Sequence, residues 1–235
     1  MSAKDDAAIN IIMASSYRRR HADSGPPFSG DLYLWLAHDQ KQTIGGGRIT
    51  AWEDARGGIV LSEIAGSGPA PVVVSGRTGG SFLGAQYLNN LALPAGLGQQ
   101  SFTTFVRAKN KQSDLGAFGT VLTVENLSFL QQYSNTSGKR VYSTAGIVSS
   151  ATVVYDVEEV YQARSKPAAI ELRAGLGAWT SAAKSNLAGN ATLLKIGMYG
   201  GLVQFYKGAI MDVLVYKRVL SDAEADAVVA WMATS

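Results

Sequence analysis

The sequence predicts an all-β fold, a sandwich or barrel of many short strands, and three observations carry that reading. Short apolar runs recur between Gly, Pro, Asn and Ser punctuation, the spacing expected when strands are joined by turns. Glycine is plentiful, at 26 of 235 residues, while charged residues make up only 17%. Tight turns need the first, and long solvated helices would need more of the second. No strand alternates with a long helix, which disfavours a parallel α/β sheet. Hydrophobic residues reach 46%, enough for a substantial core and too many for a disordered chain.

The elements follow in order. Residues 3–20 read as a helix, because Ile9, Ile12, Met13, Ser16 and Tyr17 recur at one-face helical spacing. Ser2 can cap its start, Asp5 and Asp6 fall in its first turn, and Arg18, Arg19 and Arg20 close it, as the helix dipole favours. His21 to Pro27 is a run of turn formers ending in a double proline, which stops a helix. This divides the chain into an arm and linker, 1–27, and a main domain, 28–235. Strands are predicted at Leu32–Leu36, Ile59–Ile64, Val72–Val74, Gln86–Leu93, Ser101–Arg107, Thr120–Val124, Leu127–Tyr133, Arg140–Val148, Ala151–Tyr155, Ala168–Arg173, Ala191–Gly197 and Val203–Tyr216. Ser221-Asp222-Ala223-Glu224 is a capping box. Ala225, Val228, Val229 and Met232 give the helix behind it an apolar face, expected to tuck against the sandwich.

Composition also excludes function classes. The formal net charge is +3 with no cysteine, so disulfides, thiolate catalysis and thiolate zinc sites are out. The basic run Arg18-Arg19-Arg20 lacks interleaved aromatics and reads as a helix terminus rather than a nucleic-acid patch. No window is apolar enough for a membrane span, and Met1 to Asp6 does not read as a signal peptide. The expectation is a soluble protein made in a cytoplasm, with neither a nucleic-acid partner nor membrane insertion.

Two segments carry a resemblance. Ile49-Thr50-Ala51-Trp52-Glu53-Asp54-Ala55-Arg56-Gly57, preceded by Leu32–Leu36, looks like a W-x-D-x-S-G entry, with Ala55 and Arg56 departing from the pattern around the serine. Leu194-Lys195-Ile196-Gly197, then Phe205 to Tyr216, then Leu220-Ser221-Asp222-Ala223-Glu224 is similar to a closing signature of strand, glycine, strand and capped helix. Together they resemble the concanavalin A-like, laminin-G-type jelly rolls over roughly residues 31–235. The resemblance implies a two-sheet antiparallel jelly-roll sandwich with an N-terminal helical arm and a short C-terminal helix. Leaderless members resemble tail, fibre or capsid-surface components of bacteriophage. The implied function is therefore a non-catalytic virion structural protein: a capsid decoration, head-fibre or tail-associated module, found in the virion and homo-oligomeric. It would dock on other virion proteins through Ile9, Ile12, Met13, Tyr17, Arg18, Arg19 and Arg20. The alternative is a carbohydrate-binding module for host-surface glycan.

Residue by residue, chemistry is sparse. Trp52 is expected as a core anchor beneath the Gly57-Gly58 turn, Asp54 as the cap of that turn, and Gly208 at a turn between strands. His21 and His38 are the only histidines, one in the linker and one near a turn, neither expected to be buried and oriented as a triad needs. Asp156 and Glu158 share a strand face, but the E-x-D-x-x-E spacing of some jelly-roll glycosidases is absent. These acids, with Glu159, are expected on a solvated edge or an inter-subunit contact. No cofactor is expected. Calcium, which relatives bind, would require Asp54, Asp114 and Asp212 to converge. A glycan would need an exposed aromatic plate beside amides or hydroxyls. Trp179 is the first candidate, and Tyr133 with Gln131, Gln132 and Asn135 the second.

Overall fold

A computed structural model describes residues 25–111, 119–125, 127–132, 141–143, 146–148, 155–183, 189–199 and 204–235. Its strands, in chain order, are β1 (Leu32–Leu36), β2 (Gln42–Gly45), β3 (Arg48–Glu53), β4 (Val60–Ser62), β5 (Ala70–Val74), β6 (Arg77–Leu83), β7 (Leu88–Asn90), β8 (Phe102–Asn110), β9 (Gly119–Val124) and β10 (Leu127–Gln132). They continue with β11 (Val141–Ser143), β12 (Gly146–Val148), β13 (Glu158–Ser165), β14 (Ala169–Ala174), β15 (Thr180–Ala183), β16 (Leu194–Ile196), β17 (Met198–Tyr199), β18 (Gln204–Phe205) and β19 (Lys207–Tyr216). One helix, α1 (Asp222–Thr234), follows. Residues Asp31–Leu220 form one compact unit, and Ser221–Ser235 belong to a second, smaller one with the described residues before Asp31. The predicted arm, residues 3–20, and the Ala151–Tyr155 strand up to 154 lie outside the described residues.

The fold is a two-sheet sandwich. One sheet has the order β15-β14-β13-β8-β19-β6-β5, with β1 also paired to β19. The other runs β17-β18-β9-β16-β7-β4-β3-β2, with β10 on β9. Pairing is antiparallel throughout, apart from a parallel bridge between Phe205 and Thr120. Alternation along each strand sends one set of side chains inward. In β8, Phe102, Val106 and Ala108 enter a single core with Leu34, Phe82, Tyr161, Leu172 and Val213 of the same sheet. Ile49, Trp52, Leu61, Leu88, Leu122 and Ile196 join it from the second sheet. Two-residue hairpins join β2 to β3 and β5 to β6, where Gly46-Gly47 (φ 57° and 76°) and Ser75-Gly76 (φ 49° and 76°) are left-handed at both positions. That is the turn whose twist matches the flanking strands. In the smaller unit the capping box forms as expected: Glu224 N donates to Ser221 Oγ at 3.3 Å, and Ser221 N to Glu224 Oε2 at 2.8 Å. Ala225, Val228, Val229 and Met232 are buried.

Two glycines act differently from punctuation. Gly208 lies within β19 rather than at the expected turn, and a Cβ there would strike the Tyr206 hydroxyl and the Lys109 carbonyl. Gly79 lies within β6, where a Cβ would overlap the Ile210 carbonyl oxygen. Both mark close backbone approach.

Strand β19 changes partner midway. It pairs with β8 along its length; on its other side β6 covers Lys207–Ile210 and β1 covers Val213–Tyr216. The register slips at the junction, between Ile210 and Asp212, as a bulge does. Asp212 fills that gap. Its Oδ1 accepts hydrogen bonds from His38 N at 2.9 Å and His38 Nδ1 at 2.8 Å, just past the end of β1. Its Oδ2 lies 3.4 Å from Arg107 Nε. Arg107 in turn faces Glu158 at 3.7 Å, and Glu158 pairs with Arg77 at 3.3 Å. Arg107 and Asp212 are only 1% and 2% exposed.

This bears on two expectations. His38 is half-buried and oriented, because the bulge presents a carboxylate to it. Among the described residues no hydroxyl is hydrogen-bonded to it. Glu158 is no solvated edge, because the pairing of β13 with β8 sets it beside Arg107. Glu159 is also partly buried, and burial raises its carboxyl above the ordinary value against a hydrogen bond from Tyr161.

Burial alone would raise the Asp212 carboxyl, but the His38 hydrogen bonds and the Arg107 charge outweigh it and hold the group below its ordinary value. A depressed folded value means the stabilisation is complete above the unfolded value near ~4 and drains away as pH falls through the folded one. Asp212→Asn is expected to lower stability by about 3 kcal/mol at pH 7, since it removes the nearer of the two carboxylates facing the buried Arg107 and the acceptor of the His38 bonds. The deficit should shrink on acidification below about pH 4, measured by urea unfolding across that range. Gly79→Ala is expected to cost about 3 kcal/mol by forcing β6 from β19, read as a fall in urea midpoint with an unchanged slope.

Candidate functional site

Trp179 precedes β15, at the edge of the eight-stranded sheet. It is half-buried rather than openly exposed. The guanidinium carbons of Arg164 and Arg173 lie 3.8 and 4.4 Å from its ring centroid. They reach it from β13 and β14, where Arg164 is paired with Glu171 and Arg173 with Gln162. Arg173 Nε donates to Gln162 Oε1 at 2.9 Å, and Arg164 Nη1 lies 3.5 Å from Glu171 Oε2. The ring is thus a platform for two cations, which leaves less of its face for a sugar. Gln131 sits opposite Thr120 in the β10–β9 pair of the other sheet. The pairing therefore assigns it and Trp179 to different sheets. Tyr133, Asn135 and the Gln131 and Gln132 side chains lie outside the described residues, as do Ile9, Ile12, Met13, Tyr17, Arg18, Arg19 and Arg20.

A more open site is built around the W-x-D turn between β3 and β4. Trp52 is buried, and its Nε1 donates to Ala37 O at 3.1 Å. Asp54 does not cap its own turn as expected. Its Oδ1 instead accepts from Trp35 N of β1 at 2.9 Å. Ala55 N returns the link by donating to Trp35 O at 2.8 Å. These bonds fix the turn against β1 from both sides. Arg56, at the position where the sequence departs from the pattern it resembles, donates from Nη1 to Leu32 O at 2.8 Å. Its Nη2 lies 3.4 Å from Asp54 Oδ2.

Beside this turn lies a cleft of about 400 Å³ whose lining includes Tyr33, Arg56, Gly57, Gly58, Gly96 and Lys217. That volume falls in the range of small-ligand sites. Tyr33 donates its hydroxyl to Pro94 O, holding the 94–96 loop. Burial raises the Tyr33 phenol above its ordinary value, so it stays protonated. Lys217 follows β19; its backbone N–H donates to Asp31 O at 2.8 Å, and its side chain is exposed. Sequence reading missed this site, because Tyr33, Arg56, Gly96 and Lys217 are far apart in the chain: the pairing of β1 with β19 brings Tyr33 to Lys217, the bonds of the turn to β1 bring Arg56, and the Tyr33–Pro94 bond brings the loop of Gly96. The one signal available was Arg56 in place of the pattern's small residue. Calcium finds no support here: the described residues hold no cluster of three or more His, Cys, Asp or Glu side chains fit for a metal. Asp54 and Asp212 are each spent on separate partners, and Asp114 lies outside the described residues.

No family model matches the chain, and no curated protein matches it. Solved structures do. Trypanosoma rangeli sialidase superposes with a TM-score of 0.60 at 12% identity, over 85% of this chain and 32% of the sialidase. An arabinofuranosidase complexed with arabinofuranosyl-α-1,2-xylobiose gives a TM-score of 0.58 at 11% identity, over 80% of this chain and 51% of that one. Domain 4 of AbnA, a GH43 extracellular arabinanase from Geobacillus stearothermophilus, in complex with arabinotriose, gives 0.54 at 12% identity, over 85% of this chain and 98% of that domain. The chain spans about a third of the length of the sialidases it matches. At such identities the likeness is one of fold, and the fold is a two-sheet antiparallel β-sandwich similar to a domain that stands within a polysaccharide-degrading enzyme.

Proposed function

We propose that this chain is a carbohydrate-binding module that acts by binding and not by turnover. The observation that carries the reading is the sugar-sized cleft beside the W-x-D turn, on a fold similar to an arabinanase domain in complex with arabinotriose. A backbone-stitched turn supplies a preformed wall, which lowers the ordering cost of binding. Three carboxylates are each engaged with other groups: Asp212 and Glu158 face arginines, and Asp54 faces Trp35 N and Arg56. A virion-assembly role, implied by the resemblance, is a separate proposal. It depends on the 1–27 arm, of which residues 1–24 lie outside the described residues, and is read by the oligomeric state of the chain with and without it.

The test is a glycan array followed by calorimetry on the best binder. Binding to at least one saccharide is expected, with Trp179→Ala retaining affinity within about threefold because its ring serves Arg164 and Arg173 instead. Absence of binding to every saccharide removes the reading. Loss of binding on Trp179→Ala moves the site to the sheet edge.

A further inference from the structure

We infer that the cleft selects a saccharide bearing one anionic group, a carboxylate on a sugar ring. This rests on the carbohydrate-binding reading and goes beyond it by naming the ligand's charge.

The charges around the cleft do not cancel. Arg56 and Lys217 are cationic and Asp54 is anionic, so one positive charge is left over. Asp54 is buried, and its carboxylate is already committed to Trp35 N and Arg56. It therefore holds the guanidinium in place and presents little negative charge to the cleft. Arg56 has five N–H donors. One is used on Leu32 O and another points toward Asp54, while the side chain remains 37% exposed. A guanidinium anchored along one edge and open along the other suits a planar carboxylate.

Lys217 adds a mobile point charge. Its side chain has no hydrogen-bond or ion-pair partner among the described residues, in contrast to neighbouring Arg218, which pairs with Asp31 at 2.7 Å. An exposed, uncommitted ammonium on the wall of a cleft costs little to recruit. The remaining lining suits a sugar ring: Ile59 and Leu32 are apolar, and a Cβ on Gly58 or Gly96 would meet nothing within 4 Å, so the floor is open.

The experiment compares a galacturonic acid trisaccharide, a sulfated disaccharide and neutral arabinotriose by calorimetry at 50 and 500 mM salt, on the full chain. The carboxylated sugar is expected to bind at least tenfold tighter than the neutral one and to lose most of that margin at high salt. Lys217→Gln, which changes only an exposed side chain and keeps the backbone bond to Asp31 O, is expected to erase the preference while leaving the unfolding midpoint unchanged. Arg56→Gln should erase it as well. If neutral and acidic sugars bind equally, or if Lys217→Gln leaves the preference intact, the inference falls while carbohydrate binding stands. If the sulfated sugar wins, the charge assignment holds and the carboxylate is wrong. If no saccharide binds, both readings fall together.

Discussion

The sandwich depends on a carboxylate placed where one strand exchanges neighbours. β19 sits at the centre of the eight-stranded sheet, yet no single strand covers its second edge. β6 takes the first half and β1 the second. At such a seam the ladder is interrupted, and buried donors must find other acceptors. Asp212 supplies one to the backbone and ring of His38 together and turns its other oxygen toward Arg107. Arg107 carries the linkage across β8 to Glu158 of β13, and Glu158 to Arg77 of β6. A single connected set of charges thus ties four strands and the end of β1. It lies where the register of β19 against β8 shifts.

Much of the fold was legible because the patterns that encode it are local. The closing signature Phe205 to Tyr216, the capped helix at Ser221 and the short runs at Val72–Val74 and Thr120–Val124 all became the elements they suggested. The strands that escaped notice share a physical reason. β13 reads Glu-Glu-Val-Tyr-Gln-Ala-Arg-Ser; its charged residues looked solvated because their partners, Arg107 and Arg77, lie about fifty and eighty residues away. β6 contains Gly79 and Gly80, which imitate a turn. They are glycines because neighbouring chain passes too close for a side chain.

The site was less legible than the fold. Trp52 and Asp54 were correctly assigned to structure, but the partner of Asp54 is a strand rather than its own turn. That difference matters, because a turn tied to β1 is held rigid next to the cleft, and Arg56 is held with it. Aromatic residues drew attention as sugar plates, and Trp179 was the natural candidate. Its neighbours in space are two arginines that sequence spacing cannot show to be adjacent, since they come from opposite sides of a β13–β14 hairpin.

The pairing of β1 with β19 has a bearing on how the molecule is made. Leu36 meets Val213, so a central strand of the sheet is made after β1, β6 and β8, the three strands it joins. Until it is made, β8, β6 and β1 have no common neighbour, and the edges it pairs with stay open. Contacts so distant along the chain slow the search for the native state.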